Sequence, residues 1–340
     1  MRIGLFFFGF CLFLLSCQED VQEKEITSAI YHWKSIYSPS KKALSTLKEL
    51  DVNKQYIRFF DIDFNPEIGE AIPKGMIRFG TKPMEKVVPV VYISNRTFNN
   101  FVESQIDSLA NKTANKIKEI ANKNDFTFEE VQFDCDWTKK TGPTYFAFIV
   151  KIRSQLDNNI KISATLRLHQ VKFREQTGIP PVERVALMLY NVGDWTNVNT
   201  QNSLFDPDII DQYIYRLSEY PLPVDIALPI YQQAIVFRNN QFHTYFKNVS
   251  KLDLKKEFNM KQGQTDNLLV CQENCEFRNH SFRKGDVFRH ESINFKTLNA
   301  VKKAILKRLS NNDVQIYLFH LDDKSFNNFP TKHLSQLWGN

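Results

Sequence analysis

Eight segments rich in β-branched and aromatic residues recur along this chain with helical segments between them. That alternation limits the fold more than any other feature of the sequence. The segments are Ala29–Lys34, Tyr56–Asp63, Val88–Ser94, Val131–Trp137, Ile162–Gln170, Val185–Asn191, Asp225–Tyr231 and Val314–His320. Between them, helices are expected over Ser38–Leu50, Phe101–Asn122, Tyr145–Leu156 after Pro143, Asp208–Tyr220 after Pro207, and Asn299–Leu309. Strands and helices alternating in this way are the pattern of a single (β/α)8 TIM barrel, an α/β fold that carries its site at the strand C-terminal ends. A chain of 340 residues, 42 % of them hydrophobic, suits one such domain. Two stretches fit the repeat poorly. Pro66–Phe79 is not clearly helical, and residues 238–293 read as an insertion between strands seven and eight, partly a β-hairpin, lying over the strand C-terminal ends.

The fourth segment, Val131-Gln132-Phe133-Asp134-Cys135-Asp136-Trp137-Thr138, carries the strongest chemical signal. Strand alternation puts Gln132, Asp134 and Asp136 on one face and Phe133, Cys135 and Trp137 on the other. Buried carboxylates are costly unless paired or hydrogen-bonded, so an acidic inner face reads as the wall of a site. Other strand ends are polar too: Arg58, Asp61 and Asp63 on the second; Ser163, Thr165, Arg167 and His169 on the fifth; Tyr190, Asn191, Asp194 and Trp195 on or after the sixth; Tyr231 on the seventh; His320, Asp322 and Asp323 on or after the eighth. Plainer roles exist for several. Arg167 can neutralise Asp134, His169 can be a satisfied core histidine, and Asp322 and Asp323 can cap a helix. A purely structural barrel has little reason to bear desolvation costs at so many strands.

The N-terminus reads as a targeting segment. Arg2 precedes an apolar run, Gly4–Leu15, that ends in Leu14-Leu15-Ser16-Cys17. This resembles the bacterial lipobox, which implies a signal peptide over residues 1–16 and lipidation at Cys17. A lipidated tether over 17–27 and a barrel domain over 28–340 would follow. Gln18-Glu19-Asp20 resembles the surface-export signal of Bacteroidetes lipoproteins, so the expected location is the outer membrane, surface-exposed, with the membrane as a partner through the lipid. Of the other cysteines, Cys135 reads as a buried thiol. Cys271 and Cys275 read as a local disulfide, with a zinc half-site as the alternative. No cofactor is expected and no complete metal site: Tyr31-His32-Trp33 lacks the His-x-His of metal-dependent barrel hydrolases. The net charge of +6 is spread along the chain with no basic stripe, so nucleic acid is not an expected partner.

Phe133-Asp134-Cys135-Asp136-Trp137-Thr138 resembles the end of the family 18 chitinase signature, D-x-x-D-x-D-x-E on strand four. Met188-Leu189-Tyr190-Asn191 is similar to that superfamily's Met-x-Tyr-Asp on strand six. The resemblance implies a substrate-assisted mechanism. There a Glu protonates the glycosidic oxygen, the preceding Asp orients the substrate's N-acetyl group, and the strand-six Tyr hydrogen-bonds it. Carried over, Asp136 is the orienting carboxylate, Asp134 its inner partner and Tyr190 the acetamide partner. The sequence departs from the signature where it matters most: Thr138 stands where the acid Glu belongs, and Val131 replaces the first Asp. Tyr56-Ile57-Arg58-Phe59-Phe60-Asp61 and Leu166-Arg167-Leu168-His169-Gln170 resemble an uncharacterised Bacteroidetes-type lipoprotein group.

Three functions follow as expectations. The first is a membrane-anchored glycoside hydrolase-like enzyme with Asp136, Asp134 and Tyr190 as catalytic residues and Arg58, Asp61, Arg167, His169, Asn191 and His320 around the substrate. The second is a glycan-binding lipoprotein that does not cut, with Trp137, Trp195 and Tyr231 stacking on sugar rings. The third is a structural or partner-binding surface protein.

Overall fold

Inward-facing residues of the strands bond to one another across a closed ring, while outward-facing ones pack beneath helices. The Tyr31 hydroxyl donates to Gln132 inside the ring at 2.6 Å. Phe133, next in sequence, turns outward and meets Phe148 edge-on at 5.4 Å. The structure, a computed structural model, describes residues 24–52, 54–83, 86–100 and 103–339. The signal-peptide run and Cys17, with its expected lipid, lie outside the described residues.

The barrel strands are Glu25–His32, Lys54–Asn65, Lys86–Ile93, Glu130–Asp134, Lys161–Leu166, Arg184–Met188, Val224–Pro229 and Asp313–Phe319. Each pairs in parallel with the next. Tyr31 of the first lies opposite both Tyr56 of the second and Phe319 of the eighth, which closes the barrel. The expected α/β barrel is therefore the observed fold. The first strand begins at Glu25, so residues 25–27, expected in the tether, belong to the barrel sheet.

Helices form where apolar residues recur three or four apart. Helix Ile106–Lys123 buries Leu109, Ala110, Thr113, Ala114, Ile117, Ile120 and Ala121. Helix Pro207–Ile214 starts where the Asp206 side chain accepts from the Asp208 and Ile209 amides, with Pro207 in its first turn. Among the described residues no helix is long and apolar enough to cross a membrane.

Three local features bear on the site, the last two of them corrections. As expected for Pro66–Phe79, the second connection has no helix among the described residues: the strand runs to Asn65 and returns as Glu70–Lys74, with Asp61 opposite Lys74. Gly69 takes φ +66 in the turn that makes this return, and Gly75, at φ +57 just past the returning strand, leaves room for Arg58, whose Nη1 would sit 2.9 Å from a Cβ there. The fourth strand stops at Asp134, so Asp136 and Trp137 lie on the loop beyond it. The fifth stops at Leu166 because the Arg167 amide donates to Gln170 Oε1 at 2.7 Å and starts helix Leu168–Lys172. His169 is thus on a helix, not on a strand face.

Between strands seven and eight, Gln233–Arg238, Gln241–Lys247, Met260–Gln262, Leu268–Cys271 and Val287–Glu291 make a five-stranded antiparallel sheet. It has its own apolar cluster around Phe246, Phe258, Phe282 and Phe288. Cys271 and Cys275 are both free thiols, with Sγ atoms 3.4 Å apart. That exceeds the roughly 2.0 Å of an S–S bond, so the expected disulfide is not formed; Cys271 instead donates to the Glu273 carbonyl.

Candidate functional site

The inner face of the barrel is polar in layers, and the layers have different roles. At the strand N-terminal ends, Glu130 accepts from Lys54, Tyr56 and Ser163. Asp225 accepts from both arms of Arg184, from the Gln315 amide and from Tyr317. Both carboxylates are buried and hydrogen-bonded, and they lie at the barrel end away from the site, where such pairs serve stability. Sequence reading did not single out this lower layer.

At the C-terminal ends, the fourth strand delivers Asp134 into the barrel, where it is 4 % exposed and accepts from Thr165 Oγ1 at 2.6 Å. Burial pushes its carboxyl up to about 6; the charge of Asp136 adds to the shift, while Arg167 and the Thr165 hydroxyl oppose it. A folded carboxyl that keeps its proton to about pH 6 loses stability relative to an unfolded one as pH rises from about 4 to about 6. Asp134→Asn removes that slope. Urea titrations across this window should show the variant gaining on the parent as pH rises; a constant difference between pH 4.5 and 7, ~0 in slope, would contradict the shift.

Above Asp134 the chain leaves the strand and Asp136 reaches a cleft of about 610 Å³. Its Oδ1 accepts from Arg167 Nε at 2.5 Å and its Oδ2 from Nη2 at 3.4 Å. Burial works against the charge of Arg167, but Asp136 and Asp134 hold its pKa above the ordinary arginine value. Arg167 therefore pairs directly with Asp136, not with Asp134. Its guanidinium also lies 6.0 Å from the Tyr190 ring. The Tyr190 hydroxyl donates to Met188 Sδ at 2.9 Å, a weak acceptor that a ligand can replace. Burial pulls the His169 pKa below its usual value, with Asp136 partly offsetting this.

Asp136, Arg167, His169, Tyr190 and Asn191 therefore share one cleft, with Trp195 at its wall, 44 % exposed. The other candidates stand elsewhere. Arg58 donates to the Trp33 carbonyl and to Asp61, outside the cleft. Trp137 is wholly buried, stacked on Tyr145 at 5.2 Å, with Nε1 donating to the Thr177 carbonyl. Tyr231 is buried too, and its hydroxyl donates to Asn191 at 3.2 Å. Neither ring can stack on a sugar, because each is packed into the protein. His320 is buried beside a second cavity of about 880 Å³. The Asp322 side chain caps helix Asp323–Asn328. Among the described residues no cluster of three or more His, Cys, Asp or Glu side chains is placed to hold a metal.

Thr138 is committed to local structure. Its amide donates to Thr141 Oγ1 at 2.9 Å, and Thr141 donates onward to Asn95. It is absent from the cleft lining, in which Asp136 is the one carboxylate among the described residues.

Sequence reading missed the other side of the cleft. Gln233, Ile235, Tyr245 and Lys247 come from the inserted sheet, and Tyr213 from the helix after the sixth strand. Their contribution depends on how the insertion folds over the barrel mouth, and the only hint was the position of the insertion itself.

No family model matches the chain, and no curated protein matches it. Solved structures do. Its structural neighbours include chitinases and spore cortex-lytic enzymes. The spore cortex-lytic enzyme SleL of Bacillus cereus aligns over 92 % of this chain and 74 % of its own at 14 % identity and a TM-score of 0.51. A chitinase from Chromobacterium violaceum aligns over 93 % and 99 % at 10 % identity and a TM-score of 0.53. A Group IV chitinase from Ostrinia furnacalis aligns over 93 % and 100 % at 10 % identity and a TM-score of 0.52. At such identities the likeness is one of fold, and the chemistry must be argued from this chain's own residues.

Proposed function

We propose that this protein binds glycan in the cleft at the C-terminal face of the barrel and does not hydrolyse it by the chitinase route. One observation carries the reading: Asp136, the single lining carboxylate among the described residues, has both oxygens engaged by Arg167. Cleavage with retention or inversion needs a proton donor and a second carboxyl or a substrate acetamide held in position. Here the donor position is Thr138, tied to the Thr141 hydroxyl, and among the described residues no second carboxyl lines the cleft. What remains suits recognition. Trp195 and Tyr245 offer exposed ring faces, and Asn191, Gln233 and His169 offer polar edges to sugar hydroxyls. The fold shared with chitinases supports a saccharide as the ligand class. Lipid on Cys17 would hold this cleft at the outer membrane surface, in keeping with the lipobox-like text.

Binding and reducing-end release by the purified protein on a polysaccharide panel test this. The expected result is binding without release, with Trp195→Ala weakening affinity by about tenfold, the loss of ~1–2 kcal/mol typical of a stacking aromatic. Release by the parent that disappears in Asp136→Asn would establish the hydrolase reading instead. Failure of every polysaccharide to bind would remove the glycan reading altogether.

A further inference from the structure

The cleft has a neighbour that its own residues do not explain. The 880 Å³ cavity is bordered by Trp33, Phe319 and His320 of the barrel and by Arg278 of the insertion, and it shares Tyr245 and Lys247 with the glycan cleft. Lys247 stands at the junction. Its ammonium lies 5.4 Å from the Tyr231 ring centre and 5.3 Å from that of Phe319. Among the described residues no carboxylate is within ion-pair distance of it.

Charge across the two cavities is unbalanced. Arg167, Lys34, Lys247, Arg278 and Lys324 face them, against the carboxylates of Asp136, Asp322 and Asp323. The carboxylates are already engaged: Asp136 by Arg167, Asp322 by Lys34, and Asp323 by the Ser40 hydroxyl. Arg278 rests over the Phe277 ring at 4.9 Å and donates to the Lys247 carbonyl. Burial, followed by the charge of Arg167, lowers the Lys247 pKa. An ammonium held over aromatic faces without a counter-ion keeps part of its desolvation cost, and an arriving anion offsets it. His320 does not compete for this role, since burial and the charge of Lys247 push its pKa down to about 3 and leave it neutral.

We infer that the junction at Lys247 is a subsite for an oxyanion carried by the glycan, a carboxylate or a sulfate, while the neutral sugar lies in the cleft beside Trp195. The inference rests on the glycan reading and narrows it to acidic saccharides. Two chemically matched pairs test it by calorimetry on the full chain. One is oligogalacturonate against its methyl ester, and the other a sulfated carrageenan oligosaccharide against its desulfated galactan. The expected result is that one acidic member binds at least about tenfold more tightly than its neutral twin at low salt, with the gap closing as salt rises. The pair that shows the gap identifies the anion. Lys247→Met should bring the gap to near unity, and Lys247→Arg, which keeps the charge, should preserve it. Neutral twins binding as tightly as acidic ones, or a gap that survives Lys247→Met, would overturn the subsite and leave glycan binding intact. No binding by any member would overturn both.

Discussion

Glu291→Ala is expected to lose about 3–5 kcal/mol of stability, because it leaves a buried arginine without its counter-charge. Glu291 and Arg289 side chains are both 0 % exposed. The Glu291 carboxylate accepts from Arg289 Nε at 2.8 Å, from Gln233 Nε2 at 2.7 Å, and from the amides of Ser203 and Leu204 at 2.8 and 3.1 Å. Arg289 donates onward to the carbonyls of Trp195 and Asn197. One carboxylate thus ties the inserted sheet to the loop that carries the cleft's exposed tryptophan. Removing it orphans several donors at once, whereas Glu291→Gln keeps the shape and should cost less. Urea denaturation followed by tryptophan fluorescence would measure the loss. A cost under ~1 kcal/mol for the Ala variant would mean that the network does not hold the cleft wall.

Trp137→Ala should cost about 3–5 kcal/mol, the range for deleting a fully buried large aromatic ring. The ring is 0 % exposed, stacked against Tyr145 at 5.2 Å and edge-on to Phe146 at 5.7 Å. Its indole N–H also closes the Thr177 carbonyl at 3.0 Å. The cavity left behind is walled by helix Gly142–Arg153 and by Gly142 itself, where a Cβ would sit 3.3 Å from the indole. A rigid helix leaves little room for collapse, which places the cost high in the range. Trp195→Ala, at an exposed site, should leave the denaturation midpoint nearly unmoved. If Trp137→Ala were equally mild, the ring would not be core, and its role as a sugar platform would reopen.

The contrast between these two tryptophans shows how far the sequence could be read. Both follow strand-end motifs and both looked like aromatic platforms. Trp137 continues the outward face of the fourth strand, the face of Phe133 and Cys135, so its burial under helix Gly142–Arg153 follows from alternation taken one step past the strand. Trp195 is exposed because its loop is bonded to Arg289 from a sheet formed by residues far along the chain. Alternation could not report that contact. The fifth strand teaches the same lesson. Its text alternates through His169, but a single bond from the Arg167 amide to Gln170 turned the chain into a helix and moved His169 off the strand.

The sequence by itself determined the barrel. Eight β-rich segments separated by helical ones suit the closed parallel barrel that is observed, and period-two alternation set Gln132 and Asp134 on the inside. It also determined, through Thr138, that the acid of the chitinase signature is missing. Only the tertiary structure decided which polar strand ends meet. Arg167 chose Asp136, while Arg58 turned to Asp61 and the Trp33 carbonyl. It decided, too, that Lys247 would stand between two cavities over the Tyr231 and Phe319 rings, with no carboxylate partner among the described residues. Strand periodicity is a local property and is written in neighbouring residues. Pairing at the barrel mouth depends on loops and on an inserted sheet that meet only after the chain has closed, and no short-range pattern encodes that meeting.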